Sequence, residues 1–228
     1  MTVEFKAKGN RGEIWLYDQI GASFFGDGIS AKSFQKELAS LGKVTTLNVR
    51  INSPGGDVFD GLAIYNQLKA HPARKLVDVD GLCASIASVI AMAGDEIRMA
   101  ANSMMMIHDP QGVAMGDSSE MHRVAALLDQ VKGNLVDTYA RRTGLPVAKL
   151  EAWMRDETWM TADAAVEQGF ADAVTPEQPV HARYDLARVF RNVPEALRNR
   201  AGAAPTSADI LRVRLQQQEE RARAYGAA

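Results

Sequence analysis

The feature that most restricts what this chain can fold into is an exchange of two hydrophobic periodicities between residues 44 and 107. Residues 44–51 are β-branched and alternate apolar with polar, which is the pattern of a strand. Residues 57–69 place Val58, Leu62, Tyr65 and Leu68 at helical spacing, and His71-Pro72 ends that run. A strand is predicted at 76–79, a short apolar helix at 84–93 stopped by Gly94, and two further strands at 96–99 and 104–107. Strands and helices alternating at this period join parallel strands by right-handed crossovers, so the predicted class is α/β with a mainly parallel sheet.

The flanks extend the pattern. Residues 13–20, rich in aromatic and aliphatic side chains, read as a first strand closing at Gly21. Ser30 is a plausible N-cap for a helix carrying Phe34, Leu38 and Leu41 and ending at Gly42. The longest predicted helix opens at Ser118 or Ser119 and runs to about Arg142, with Met121, Val124, Leu128, Val131 and Leu135 among its apolar positions. A short helix to Met154, a strand at 158–160, a helix capped by Thr161 and ended by Gly169, and a strand at 170–174 complete the body. Pro176 and Pro179 mark its edge, giving a predicted domain at 1–180 and a tail at 181–228. Residues 207–225 have helical potential but few apolar side chains, so the tail reads as mobile or as a partner-binding segment.

Composition narrows the function classes. With 46% hydrophobic and 24% charged residues the bulk is globular. Twenty-six Lys and Arg against 28 acids leave a net charge of -2, so no global basic excess points to nucleic acid. After residue 182 nine arginines face five acids, a local +4 that leaves -6 for the rest. Cys83 is the single cysteine and by itself makes neither an internal disulfide nor a zinc site, which favours a reducing compartment. The first residues show no signal-peptide pattern, and the longest apolar run, residues 81–94, falls short of the ~20 a bilayer-spanning helix needs. A cytoplasmic enzyme or assembly protein is the expectation, without membrane or nucleic-acid partners.

Three segments sit at predicted strand ends: Asn52-Ser53-Pro54-Gly55-Gly56, Gly81-Leu82-Cys83-Ala84-Ser85-Ile86 and Met106-Ile107-His108-Asp109-Pro110. In an open α/β sheet, reacting groups collect beyond the carboxyl ends of the strands. Ser85 would lie in the first turn of an apolar helix, beside backbone N–H groups that have no partner within the helix. Gly55 and Gly56 let a second stretch of backbone approach the same point, so an oxyanion site is conceivable, with His108 as base. The bland readings stand beside this one. A serine in an apolar helix usually bonds back to a carbonyl, and Gly-Gly after proline is usually a tight turn. The Gly-Lys-Ser/Thr of a phosphate-binding loop is missing, and so is a Gly-x-Ser-x-Gly elbow.

In order and spacing these three segments, with Trp159-Met160-Thr161-Ala162-Asp163-Ala164-Ala165 and Gly169-Phe170-Ala171-Asp172, resemble the ClpP family of serine peptidases over residues 12 to 175. The text after the glycines and after the serine looks most like the phage and prophage branch, the ClpP-related head maturation proteases. The resemblance implies a ClpP/crotonase-like spiral of βαβ units with a long handle helix. It also implies a Ser-His-acid triad with Ser85 as nucleophile and His108 as base, an oxyanion hole from the Gly56 and Ile86 amides, and no metal or cofactor. Ser88, one turn after Ser85, is set aside by the same match, and Cys83 reads as a small buried residue. For the acid, position selects Glu157, two residues before Trp159, while residue type keeps Asp156 as the alternative. If the segment is extended, only one of the two faces His108.

Further expectations follow from the resemblance. The chain would self-associate into a ring, with the long helix as an assembly element, and cleave scaffold and capsid proteins during phage head assembly, in the host cytoplasm or inside the prohead. N-terminal loops that dock an unfoldase find no match here, so an ATP-driven partner is not implied. Met104, Met105, Met106 and Met115 are candidates for adaptable apolar contacts with an extended peptide. The rival readings are an acyl-CoA enzyme on the same fold, which would use the paired amides without Ser85 or His108, and a catalytically silent assembly subunit.

Overall fold

The computed structural model describes residues 4–21, 28–178 and 184–198. The chain divides into two compact units, Met1–Ala182 with Phe190–Asn192, and Arg183–Val189 with Val193–Ala228. Of the second unit, the described parts are a 3-10 turn at Leu186–Arg188 and a single helical turn at Glu195–Arg198. The helix expected at 207–225 lies outside the described residues.

The first unit is a mixed α/β body around one largely parallel sheet. β1 (Glu4–Lys8) and β2 (Arg11–Leu16) form an antiparallel hairpin. β2 then pairs in parallel with β3 (Thr46–Ser53), β3 with β4 (Arg74–Ala84), β4 with β5 (Glu96–Ala100), and β5 with β8 (Ala173–Thr175). The helices α1 (Ala31–Ser40), α2 (Val58–Ala70) and α3 (Ile86–Ala91) lie between consecutive strands. Alternation along the strands decides the layering. Leu47, Val49 and Ile51 of β3, Val77 and Val79 of β4, and Ile97 and Met99 of β5 are buried in one core with Ile64, Leu68 and Ile90 of the helices. Their neighbours point to the opposite face and carry charge, where Arg50 pairs with Asp80 and Arg98 with Asp78. Tyr17 donates to the Asp80 carboxylate beside Arg50, and burial pushes that phenol up to about 12.

β4 is longer than its sequence suggests, and its length builds the site. Residues 76–79 pair with β5, whereas Leu82, Cys83 and Ala84 leave that partner and pair with β6 (Met104–Ile107). β6 in turn pairs antiparallel with β7 (Thr158–Thr161). The sheet thus turns a corner at Gly81, and the second part carries Ser85 and His108 at its edge.

Several expectations shift. β1 was not anticipated, and the first strand stops at Leu16 instead of residue 20, because Ile20 leaves the sheet to bridge Ile29 and Gly56. The helix expected at 84–93 begins only at Ile86, since Ala84 is still strand. The long helix α4 (Ser118–Thr143) matches, capped by Asp117 and closed by Gly144, and α5 (Val147–Arg155) and α6 (Ala162–Glu167) follow. Burial on α4 is confined to its second half, from Val131 to Tyr139, while Met121 and Leu127 stay exposed. Met105 and Met106 are core residues, and Met115 is exposed. Among the described residues, no helix is long and apolar enough to cross a membrane.

Candidate active site

Ser85 occupies the junction between β4 and α3 as the helix's N-cap, not its first turn. Its backbone has φ 55 and ψ -130, a conformation that costs a non-glycine residue about 1–3 kcal/mol and persists only where neighbours enforce it. Two contacts do so directly: the Ser85 amide donates to Met106 O at 3.0 Å, and the buried Ser88 hydroxyl donates to Ser85 O at 2.6 Å. With its proton so engaged, Ser88 Oγ accepts from the Tyr139 hydroxyl at 2.8 Å. Ser88 is therefore a support for the turn. Although the Gly-x-Ser-x-Gly pattern is missing, the result has the same geometry as an elbow, a sharp strand-to-helix turn presenting its hydroxyl outward.

The glycine loop closes over this turn. Ser53 Oγ donates to Asp18 O at 2.7 Å and accepts the Gly55 amide at 3.1 Å, which fixes the loop at its start. A Cβ on Gly55, whose φ is +89, would stand 2.7 Å from Ser85 Cβ and 3.1 Å from Ile86 N. Gly61 of α2 similarly makes room for Ile86, whose side chain would meet a Cβ there at 2.1 Å. Ile20 bridges the loop through Gly55 O and the Asp57 amide, so the Gly56 amide takes no part in that pairing. The Ile86 amide is a first-turn N–H with no intrahelical acceptor. Gly55 thus stands against Ser85 and Ile86, and the Gly56 amide lies one residue further along the same loop.

His108 follows the end of β6 and places Nε2 2.7 Å from Ser85 Oγ. Burial lowers its pKa, opposed by the charges of Glu157 and Asp109 and aided by Arg191. A neutral imidazole is thereby favoured. For Nε2 to take the serine proton, Nδ1 must carry the hydrogen, and Nδ1 is buried with no hydrogen-bond partner among the described residues.

The acid behaves differently from the expectation. The segment is not extended: Asp156 is the exposed helical C-cap of α5, and Glu157 adopts φ 53. Adjacent side chains therefore do not simply alternate. Asp156 contributes its carbonyl to Asn192 Nδ2 at 2.9 Å and its carboxylate forms no described contact with His108. Glu157 is buried, and its carboxylate accepts the Asn192 amide at 2.6 Å, the Arg191 amide at 2.9 Å and Trp159 Nε1 at 3.3 Å. Ser85 and His108 are brought together. Glu157 acts on the imidazole through its field but makes no hydrogen bond to it.

Asp109, next to the histidine, is paired with Lys132 of α4 at 3.0 Å. Cys83 is fully buried, and desolvation pushes its thiol far above the ordinary range, which removes it as a nucleophile. No cluster of three or more metal-ligating side chains occurs among the described residues. Sequence reasoning missed Tyr139 and the Phe190–Asn192 segment. The Phe190 ring packs edge-on against His108 and Trp159, each at 5.6 Å between centroids.

Comparison with known proteins places residues 20–178 in the Clp protease family model. An ATP-dependent Clp protease proteolytic subunit of Bacteroides fragilis (strain ATCC 25285) is 33% identical over 153 residues, covering 65% of this chain and 74% of that protein. Subunit 1 of Protochlamydia amoebophila is 35% identical over 165 residues, 71% of this chain and 79% of its own. The Porphyromonas gingivalis proteolytic subunit is 32% identical over 163 residues, 71% and 72% respectively.

Proposed function

Because the chain belongs to the Clp protease family, we propose that it hydrolyses peptide bonds through Ser85 and His108, with the Gly56 and Ile86 amides as oxyanion donors and Glu157 as the acid that orients His108. The carrying observation is the 2.7 Å contact of Ser85 Oγ with His108 Nε2 on a strained strand-to-helix turn. Ser85 Oγ attacks the scissile carbonyl as its proton passes to Nε2, and the oxygen that gains charge is held by the two amides. His108 then returns the proton to the leaving amine. Water, deprotonated by the same imidazole, releases the acyl group and restores Ser85. An acyl-CoA reading would need the amides alone and leaves the Ser85–His108 pair without a purpose.

The substrates we assign are scaffold and capsid proteins of an assembling phage head. Support comes from the sequence around Gly56 and Ser85 and from the arginine-rich residues beyond the family match, which ends at residue 178. Self-association fits a ring-forming family. Apolar Met121 and Leu127 on the first half of α4, with Val113 and Met115 before it, are exposed in a single copy and supply a surface for it. Hydrolysis at this site consumes no nucleotide, and a dedicated unfoldase is not part of the proposal, although the relatives' names include ATP dependence.

The test joins two readouts. Wild type reacts with a fluorophosphonate probe, and Ser85→Ala, equally folded, does not. Co-expressed with neighbouring head proteins, the wild type generates cleaved products by intact mass that Ser85→Ala lacks. Equal labelling of both chains removes Ser85 from the mechanism, and cleavage of generic unfolded peptide with head proteins left intact removes the substrate assignment.

A further inference from the structure

Residues Phe190–Asn192 belong to the first unit although they lie beyond the stretch matched to the family, which ends at residue 178. They make three kinds of contact with the site. Phe190, itself buried, sets its ring against both His108 and Trp159. The main-chain amides of Arg191 and Asn192 donate to Glu157 Oε2 and Oε1, and the Asn192 side chain donates to Asp156 O. Trp159 Nε1 adds a further donor to Glu157 Oε1.

Set beside these contacts is the vacancy on the histidine. With Nε2 engaged by Ser85 Oγ, the Nδ1 hydrogen needs an acceptor, and among the described residues buried Nδ1 has none. Glu157 is the carboxylate with the largest electrostatic effect on His108. Its oxygens, however, are drawn to the amides of the segment. A charge-assisted bond from a backbone amide is strong enough to hold a carboxylate in place, and here two act together. The Glu157 backbone, at φ 53, is also held in a conformation that only its surroundings maintain.

We propose that Phe190–Asn192 is an autoinhibitory latch: it draws the Glu157 carboxylate away from His108 Nδ1 and covers the imidazole with Phe190. The proposal rests on Ser85, His108 and Glu157 acting as the triad. Release of the three residues frees Glu157 to accept from Nδ1, which completes the triad and uncovers the histidine together. Apart from the Phe190 ring and the Asn192 side-chain amide, the contacts are made by backbone N–H groups that any peptide carries. An extended peptide that presents an aromatic residue followed by free amides competes for the same place, so such a peptide is the kind of molecule that opens the latch.

The experiment measures fluorophosphonate labelling of Ser85 in the full-length chain against pH. Asn192→Pro deletes the shorter amide bond to Glu157 together with the side-chain bond to Asp156 O, and Phe190→Ala deletes the aromatic cover. Loss of the orienting acid costs serine proteases up to about 10⁴-fold, so release is expected to accelerate labelling at least about tenfold. The pH of half-maximal labelling should rise in Asn192→Pro because His108, which also faces Asp109, Arg191 and Ser85, gains a bonded carboxylate, and in Phe190→Ala because the imidazole loses part of its burial. Adding Glu157→Gln to Asn192→Pro should cancel the gain. Folded variants that label at or below the wild-type rate overturn the latch, as does a gain that survives Glu157→Gln. If Phe190→Ala does not fold, Asn192→Pro decides alone. Failure of every chain to label, wild type included, overturns instead the triad on which the latch depends.

Discussion

Replacing Gly55 by alanine tests whether the glycine loop and the nucleophile are held as closely as the geometry requires. A Cβ at this position would lie 2.7 Å from Ala84 O, 2.7 Å from Ser85 Cβ and 3.1 Å from Ile86 N. Carbon atoms sit comfortably at about 3.5 Å, so loop and serine must separate by about 0.8 Å. A misplacement approaching 1 Å costs about 10²-fold in rate, and the Gly56 amide, proposed as an oxyanion donor, moves with the loop. The left-handed backbone adds its own cost of about 1–2 kcal/mol, since φ there is +89. Gly144→Ala separates the two effects, because Gly144 has φ +70 and nothing within 4 Å of its Cβ. For a chain of this size each kcal/mol moves Tm by about 2–4 °C, so both variants should lose about 2–8 °C. Only Gly55→Ala should also lose about 10²-fold in the second-order rate of Ser85 labelling. If Gly55→Ala labels at the wild-type rate, the close approach of the loop to Ser85 has no part in the chemistry.

Ser88→Ala removes the hydroxyl that holds Ser85 O and leaves the Tyr139 hydroxyl buried without its partner, at a cost of about 1–3 kcal/mol. Labelling should fall with Ser88→Ala and persist with Tyr139→Phe, which keeps the Ser88 to Ser85 bond; equal labelling in both variants would end the supporting role of Ser88. The pH profile follows from the lowered pKa of His108. With the neutral imidazole as the proposed base, labelling should rise with pH through a midpoint below the ordinary ~6.5 and be level above it. In the window between that lowered pKa and ~6.5 the unfolded chain binds more protons than the folded one, so stability is also lost as pH falls through it. A labelling midpoint above ~6.5 in the wild type would contradict burial as the dominant influence.

The periodicities carried most of the architecture. Elements 58–70, 104–107 and 118–143 lie where the apolar spacing put them, with Asp57, Asp117 and Thr161 capping helices through side chains that accept first-turn amides. The hairpin at β1 was also readable, through Gly9-Asn10 between two short runs, but its apolar content is too low to stand out. The candidate nucleophile and base were legible through the family resemblance of their segments; the strand before Ser85 was read only to residue 79, whereas it runs to Ala84 and brings Ser85 to the edge where a parallel sheet delivers its carboxyl ends.

Sequence by itself determined which groups reach that edge, because period and capping are local properties of the chain. Tertiary structure decided how they meet. The left-handed turn at Ser85 exists because Met106 O and the Ser88 hydroxyl hold it, and Ser88 in turn depends on Tyr139 of a distant helix. The position of Glu157 is set by amides more than thirty residues further along. Backbone donors have no residue type to betray them, and no spacing rule connects two segments that become neighbours only when the core forms.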